Sequence, residues 1–568
     1  VRARDGAGAN GEAERALRLW RRGWARQSGA GGLDRLDAGG ANLDLRRTQS
    51  MTQSMTRARS GGGNTAARGA ERAAIGGSPS AGVSTIIPAH AAAGERVSMS
   101  ADGTKGINRS AAISYQEVLD LDTREPPAIY REERVVDLGP DAVGIDRFIS
   151  EDYYRQEIEQ VWKKVWQWAC REEDIPNPGD YTIYELDRLS VIIARQSDGS
   201  IRGFYNSCLH RGRKLVTQSG CKHAFRCAFH GFAWNLDGSF KENPIKWDFP
   251  QIDEAKFSLP EVKVAAWGGF VFINFDPDAP ALESVLDPMP RHFERYDYAD
   301  RYKWVHVSKV IKANWKVVSE AFMESHHSIT THPQILPYLA DENSQYDVLS
   351  DHVTRHISAV CIPAPAVDDG RLTQQAILDA MMGAGGRGAV GENGAPQFKV
   401  PEGKTAREYA AELFRQMFKA EDGYDYSDTA DAEILDTILY NVFPNMSFWA
   451  GYAPNIVYRW RPVGKDATIM DVIRLKRQPK DGPRHKPCAE HRLGEDEPWT
   501  AAAELASLGG IFEQDMANLP YVQEGLYASG SGVVHYGRYA EMRLKQQHVM
   551  LDRYMGKDAK PAAAGKKT

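Results

Sequence analysis

The sequence predicts an α+β protein in which a small all-β domain precedes a larger domain of mixed helices and strands. Three observations carry this reading. A chain of 568 residues exceeds what one hydrophobic core serves, so two or more domains are expected. Short apolar segments at Tyr181 to Leu186, Leu189 to Ala194, Ile201 to Tyr205, Val262 to Ala266 and Gly269 to Phe275 alternate with turn residues, the spacing of a small antiparallel β domain. Helical periodicity frames them, in Phe148 to Trp168 before and in the stretch from Asn314 after.

Composition narrows the function classes. Hydrophobic residues make up 42% of the chain and charged residues 26%, as in soluble globular proteins. The net charge is −6, and no basic stripe interleaved with aromatics appears, so nucleic acid is not an expected partner. No apolar run approaches the roughly 20 residues that span a bilayer, and a cytoplasmic location without membrane attachment is expected. Six cysteines in so long a chain are too sparse for a disulfide framework.

Residues 1–112 are rich in Gly, Ala, Ser and Arg and nearly free of aromatics, so they cannot bury enough apolar surface to offset ordering entropy. Disorder is expected there, with the functional protein starting near Met99 and ordered structure near Ser114. A first domain is expected over 140–275 and a second over 276–556, followed by a disordered Lys- and Ala-rich tail over 557–568. In Phe148 to Trp168, Ser150 is a cap, acidic residues follow it, and Ile158, Val161, Trp162 and Val165 recur at helical spacing. Strands are expected at Ser447 to Gly451, Asn455 to Trp460 and Thr468 to Leu475, and a helix at Ala406 to Phe418. Between His332 and Tyr440 the chain reads as a long irregular stretch, with Met381 to Gly388 loop-like.

Two motifs carry chemistry. The first is Cys208-x-His210 with Cys227-x-x-His230. Each of two loops supplies one thiolate and one imidazole, which suits a Rieske [2Fe–2S] centre, where histidines replace cysteines on one iron. Structural zinc also accepts two Cys and two His, but zinc fingers usually pair like ligands, and here each loop mixes them. Cys221 and His223 lie between the loops and read as structural. The second motif is Glu324-x-x-His327-x4-His332 followed by Pro333. On a helix running from Asn314, Glu320, Glu324 and His327 share one face, and His332 lies just past a break. Two imidazoles and a carboxylate on one side of an Fe(II) leave positions open for dioxygen and substrate.

With these motifs, with Trp234-Asn235-Leu236-Asp237-Gly238 after the second loop and with Asn314-Trp315-Lys316, the chain resembles the Rieske non-haem iron oxygenases, the large (alpha) subunits of aromatic-ring-hydroxylating dioxygenases and their relatives. The resemblance covers Phe148 to Met555. It implies a helix-grip catalytic domain, in which a curved antiparallel sheet packs around helices. It makes Cys208, His210, Cys227 and His230 ligands of one [2Fe–2S] cluster, and His327, His332 and Asp515 ligands of one mononuclear Fe(II). Asp515 is picked out over Glu513 by its place ahead of Val522-Gln523-Glu524-Gly525-Leu526. Glu324 takes the place of the family's acidic bridge between the two metal centres, where many relatives carry Asp, and His327 rather than His326 keeps both spacings of the motif. Implied further are O2 as co-substrate, NAD(P)H used through a flavin reductase or ferredoxin, and a homotrimer, with or without a beta subunit. The expected reaction is hydroxylation of an apolar, aromatic or polycyclic small molecule, with cis-dihydroxylation favoured over monohydroxylation or oxidative demethylation. A Rieske electron carrier without catalysis is the remote alternative.

Overall fold

The structure is a computed structural model that describes residues 107–384, 398–452 and 455–557. The expected disorder of residues 1–106 and 558–568 lies outside the described residues, as does most of the glycine-rich part of Met381 to Gly388. Residues 107–112, expected to be disordered, are held in place: Ile107 packs beside Tyr346 and Tyr539, and Arg109 meets Glu133 at 2.8 Å. Ser114 caps the helix Tyr115–Leu119 through a capping box with Glu117.

The helix expected over Phe148 to Trp168 is shorter. Ser150 caps it by accepting from the Tyr153 N–H, the α-helix Glu151–Glu157 passes into one π-helical turn at Ile158–Trp162, and Gln167–Arg171 is already a strand. That strand is buried along its whole length, so its apolar residues read as a continuation of the helical stripe.

All five expected strands of the small domain form within one residue of the predicted ends. They belong to a seven-stranded antiparallel sheet in the order Gln167–Arg171, Phe270–Asn274, Glu261–Trp267, Ile201–Tyr205, Leu189–Arg195, Asp180–Leu186, Gly220–Cys221. Cys221 thus pairs in register with Asp180, in keeping with a structural role. A three-stranded sheet, Ala224–Arg226, Ala233–Asn235 and Phe240–Glu242, carries the second Cys/His loop at its first hairpin.

The larger sheet has eight strands in the order Gln345–Val348, Val353–Ser358, Thr437–Val442, Met446–Trp449, Ile456–Gly464, Ala467–Arg477, Arg301–Ile311, His491–Arg492. It is antiparallel except where Arg301–Ile311 meets His491–Arg492. Packed against it are the helices α1 (Trp315–Glu320) and α3 (Ser507–Met516), which bring Val317, Val318 and Phe512 into the same apolar cluster as Tyr458, Trp460 and Val472, and the short helix α2 (Ser328–Thr331) follows α1. The irregular stretch expected between His332 and Tyr440 in fact holds the first two strands and the first half of the third. It also holds the helices Gln374–Ala384, Ala406–Asp422 and Asp431–Leu435, so Met381 to Ala384 is helical. Among the described residues no helix is long and apolar enough to cross a membrane.

The two sheets are tied by buried polar groups. Asn445, which precedes strand Met446–Trp449, accepts from the Trp168 N–H and reaches Tyr184 Oη, while the Arg459 guanidinium donates to the Ala169 carbonyl and lies over the Trp168 ring. A second tie lies at α1, where Lys316 Nζ contacts Glu157 Oε1 at 2.6 Å and both side chains are fully buried.

Candidate functional site

The helix expected to run from Asn314 through His327 stops at Glu320. Asn314 caps it by accepting from the Lys316 N–H at 3.1 Å, but beyond Ala321 other partners replace the helical hydrogen bonds. The Ser325 N–H donates to Tyr346 Oη at 3.3 Å, Ser325 Oγ to the Asp341 carbonyl at 3.0 Å, and the His327 N–H to Glu324 Oε2 at 3.1 Å. Side chains that satisfy the backbone locally in this way compete with a continuing helix. His327 then starts α2, and His332 ends it ahead of Pro333, which cannot extend it.

The break brings the motif residues together with a residue from the far end of the chain. One nitrogen each from His327 and His332 and one oxygen of Asp515, on α3, all lie within 4.8 Å of one another. Asp515 Oδ1 is 3.7 Å from His327 Nε2 and 2.8 Å from His332 Nε2. The other nitrogen of each ring is engaged elsewhere. His327 Nδ1 is 2.6 Å from Glu324 Oε1, and His332 Nδ1 is 2.9 Å from Gln514 Oε1. Both rings are therefore oriented with Nε2 toward the carboxylate and Nδ1 toward an acceptor, the arrangement in which an imidazole serves a metal. Two such nitrogens and one carboxylate oxygen suit Fe(II). His332 and Asp515 are buried, and His327 is half-buried.

Glu324 is the electrostatic centre of this corner. Burial acts to raise its pKa, yet contacts from His326 Nδ1 (2.8 Å) and from His327 hold it far below the usual carboxylate range. His326 thus reaches Glu324, while the nitrogen that faces Asp515 belongs to His327. Behind α3, Phe322 packs against Tyr458 at 4.8 Å and Phe512 at 6.3 Å between ring centroids, within one buried apolar cluster. Sequence reasoning missed Gln514 and its partner Gln334. Adjacency to Asp515 was the one signal for the first.

A second grouping of His306, Asp471 and Glu490 has comparable spacing. Its carboxylate is already saturated. Asp471 accepts from Arg459 Nε at 3.0 Å, Arg461 Nη2 at 3.2 Å and His306 Nε2 at 3.0 Å, which makes it a closed ion network rather than a cation site.

The Cys/His loops are built alike. In the first, the Gly212 N–H donates to the Cys208 carbonyl at 2.8 Å and the Cys208 N–H to the Arg213 carbonyl at 2.9 Å. In the second, the Gly231 N–H donates to the Cys227 carbonyl at 3.0 Å and the Cys227 N–H to the Phe232 carbonyl at 2.8 Å. Gly212 and Gly231 both have positive φ, +75° and +81°, which closes each turn without a Cβ penalty. Cys208 and Cys227 are buried, whereas His230 is exposed and His210 half-buried, with the two rings 4.7 Å apart at 72°. His210 stacks on Phe232. Burial raises both thiols. At Cys227 the N–H groups of Phe229 and His230 outweigh it and bring the pKa below its ordinary value, and at Cys208 those of His210 and Arg211 work the same way without outweighing it. Paired thiols served by backbone N–H groups, with two imidazoles on the outer side, fit a [2Fe–2S] cluster held by two Cys and two His.

Two family models match the chain: the Rieske [2Fe-2S] domain over residues 165–253, and the ring hydroxylating alpha subunit (catalytic domain) over residues 293–557. Among curated relatives, the chlorobenzene dioxygenase subunit alpha of a Cupriavidus strain is 33% identical over 32% of this chain and 42% of its own length. The large oxygenase component of the naphthalene 1,2-dioxygenase system of Pseudomonas aeruginosa is 32% identical over 33% of this chain and 43% of its length. The carnitine monooxygenase oxygenase subunit of Acinetobacter baumannii is 30% identical over 33% and 51%. The aligned part therefore spans about half the length of these relatives. Among solved structures, a quaternary ammonium Rieske monooxygenase in complex with L-carnitine superposes with a TM-score of 0.51 at 18% identity, over 73% of this chain and 95% of that one. Naphthalene 1,2-dioxygenase with indole bound gives a TM-score of 0.50 at 18% identity, over 74% and 96%. At that identity the likeness establishes a shared fold.

Proposed function

We propose that this chain is a large subunit of the Rieske non-haem iron ring-hydroxylating oxygenases, a terminal oxygenase hydroxylating an apolar, aromatic or polycyclic molecule, with cis-dihydroxylation favoured. The observation that carries the reading is the orientation of His327 and His332, each turning Nε2 to Asp515 while its Nδ1 meets an acceptor. In this reading Cys208, His210, Cys227 and His230 hold the cluster, and His327, His332 and Asp515 hold the iron. When bound, the cluster supplies single electrons and the iron activates dioxygen.

The chain's own groups do the rest. Glu324 fixes the His327 ring and keeps a negative charge beside it, which raises the ring's donor strength. The Phe322, Tyr458 and Phe512 rings pack on one another in the apolar cluster that backs α3, which carries Asp515. Electrons come from NAD(P)H through a ferredoxin or flavin reductase, in the cytoplasm, and the assembly is a homotrimer in which Glu324 lies at an interface.

A second reading, monohydroxylation or oxidative demethylation, draws support from Glu324 standing where many relatives carry Asp, and from the likeness to a carnitine monooxygenase. A substrate panel of an arene and a quaternary ammonium compound, with oxygen uptake and product analysis, separates the two.

The test of the central reading is iron and acid-labile sulfide per chain, with an EPR spectrum after dithionite reduction. About three irons and about two sulfides with a Rieske-type spectrum are expected. Two irons with intact sulfide, unchanged in oxygen use by added Fe(II), would favour an electron carrier, and zinc without sulfide would overturn the reading. Glu324→Ala should keep both metal centres yet lose substrate-coupled turnover; full activity in that variant discards its role.

A further inference from the structure

We infer that Gln514, clasped by Gln334, is a positioning residue that fixes the tautomer and the direction of the His332 ring. The inference rests on the reading of His327, His332 and Asp515 as iron ligands. An imidazole binds a metal only through a nitrogen that carries no proton, so the proton must stay on the other nitrogen and be accepted there. His332 is 3% exposed, which leaves little access for water to take that part. The acceptor is Gln514 Oε1, 2.9 Å from His332 Nδ1.

A free glutamine could rotate its amide and present NH2 instead, which would push the proton onto Nε2. Gln334 opposes this. Its Nε2 donates to the same Gln514 oxygen at 2.7 Å, and Gln514 Nε2 returns to Gln334 Oε1 at 3.4 Å, a reciprocal amide pair. The backbone is held as well, because Asn518 Nδ2 donates to the Gln514 carbonyl at 3.1 Å.

The placement follows from helix geometry. Gln514 and Asp515 are consecutive on α3, so their side chains leave the axis about 100° apart. One turn of backbone thus delivers the carboxylate to Nε2 of His332 and the amide to its Nδ1. The two rings are also held unequally: His327 leans on the anionic Glu324 and His332 on a neutral amide. His332 is therefore the weaker donor of the two.

The experiment is Fe(II) affinity, measured anaerobically by competition with a chromophoric chelator on full-length protein whose visible cluster absorption reports folded chain. Gln514→Leu should bind Fe(II) about 10- to 100-fold more weakly with the cluster spectrum unchanged. Gln514→Glu, which restores an acceptor, should return the affinity to the wild-type level or above. Wild-type affinity in Gln514→Leu overturns the inference. If that variant loses its cluster as well, Gln334→Leu, on the exposed side of the clasp, decides: weakened binding supports the clasp and unchanged binding removes it. A wild-type chain that binds no Fe(II) here overturns the ligand assignment beneath the inference instead.

Discussion

Replacing Lys316 by Met should destabilise the protein by about 3–5 kcal/mol, and replacing Glu157 by Leu at the same time should recover most of that loss. The two side chains are fully buried and meet at 2.6 Å, with Trp315 Nε1 3.4 Å from the same carboxylate and the Lys316 ammonium 5.0 Å from the Trp315 ring centroid. At that separation, with an effective dielectric of ~20, the attraction is about 6 kcal/mol. Desolvating each ion costs several kcal/mol, so the pair nets close to zero against an apolar pair of similar volume. Burial leaves its mark on both partners, raising the Glu157 pKa and lowering that of Lys316 despite their mutual attraction. The single variant therefore strands a buried carboxylate, whereas the double variant leaves only the Trp315 N–H without its long 3.4 Å contact. Guanidinium unfolding of wild type, both single variants and the double variant gives the coupling energy directly. A double variant destabilised by the sum of the two single losses would refute the reasoning.

Further outcomes are expected. His327→Ala should lose the mononuclear iron and keep the cluster, while His326→Ala should keep both, because of these two neighbours it is His327 that turns a nitrogen toward Asp515; iron per chain checks this. Gly231→Ala places a Cβ 2.8 Å from Pro244 Cγ at a φ of +81°, a strain of about 1–2 kcal/mol from the backbone alone, and should lower sulfide per chain without touching the mononuclear site. His292 is buried against Tyr440, and burial lowers its pKa to about 4. Since the folded state binds this proton less readily than the unfolded chain, the stabilisation is complete above about pH 6.5 and is lost as the pH falls toward 4. Thermal scans across that range should show the loss, reduced in His292→Gln.

Much of this was legible in the sequence, because the signals were local. The strands from Asp180 to Tyr205 alternate or run apolar between turn residues, and the two Cys/His loops declare themselves by spacing. What stayed hidden depends on contacts distant in the chain. The break after Glu320 is made by Tyr346 and Asp341, which no local pattern foretells. Strands Gln345–Val348 and Val353–Ser358 escaped because they bury charge: Asp347 and Arg355 pair at 2.8 Å with both side chains fully buried, so neither strand shows the apolar rhythm of an interior strand. Asp515 needed a family resemblance, since a lone carboxylate on a helix carries no mark of the two histidines it meets.

The span between His332 and Asp515 sets an order of assembly. The four cluster residues lie between Cys208 and His230 on two neighbouring loops, so their pocket can close once the first sheet has folded. The iron pocket stays open on one side until α3 docks, and that helix follows every strand of the larger sheet in the chain. The proposed cluster pocket can therefore form before the proposed iron pocket does. A chain cut short before Ser507 would lose Asp515 from the proposed iron site, and with Met550 and Leu551 part of the core that the first domain shares.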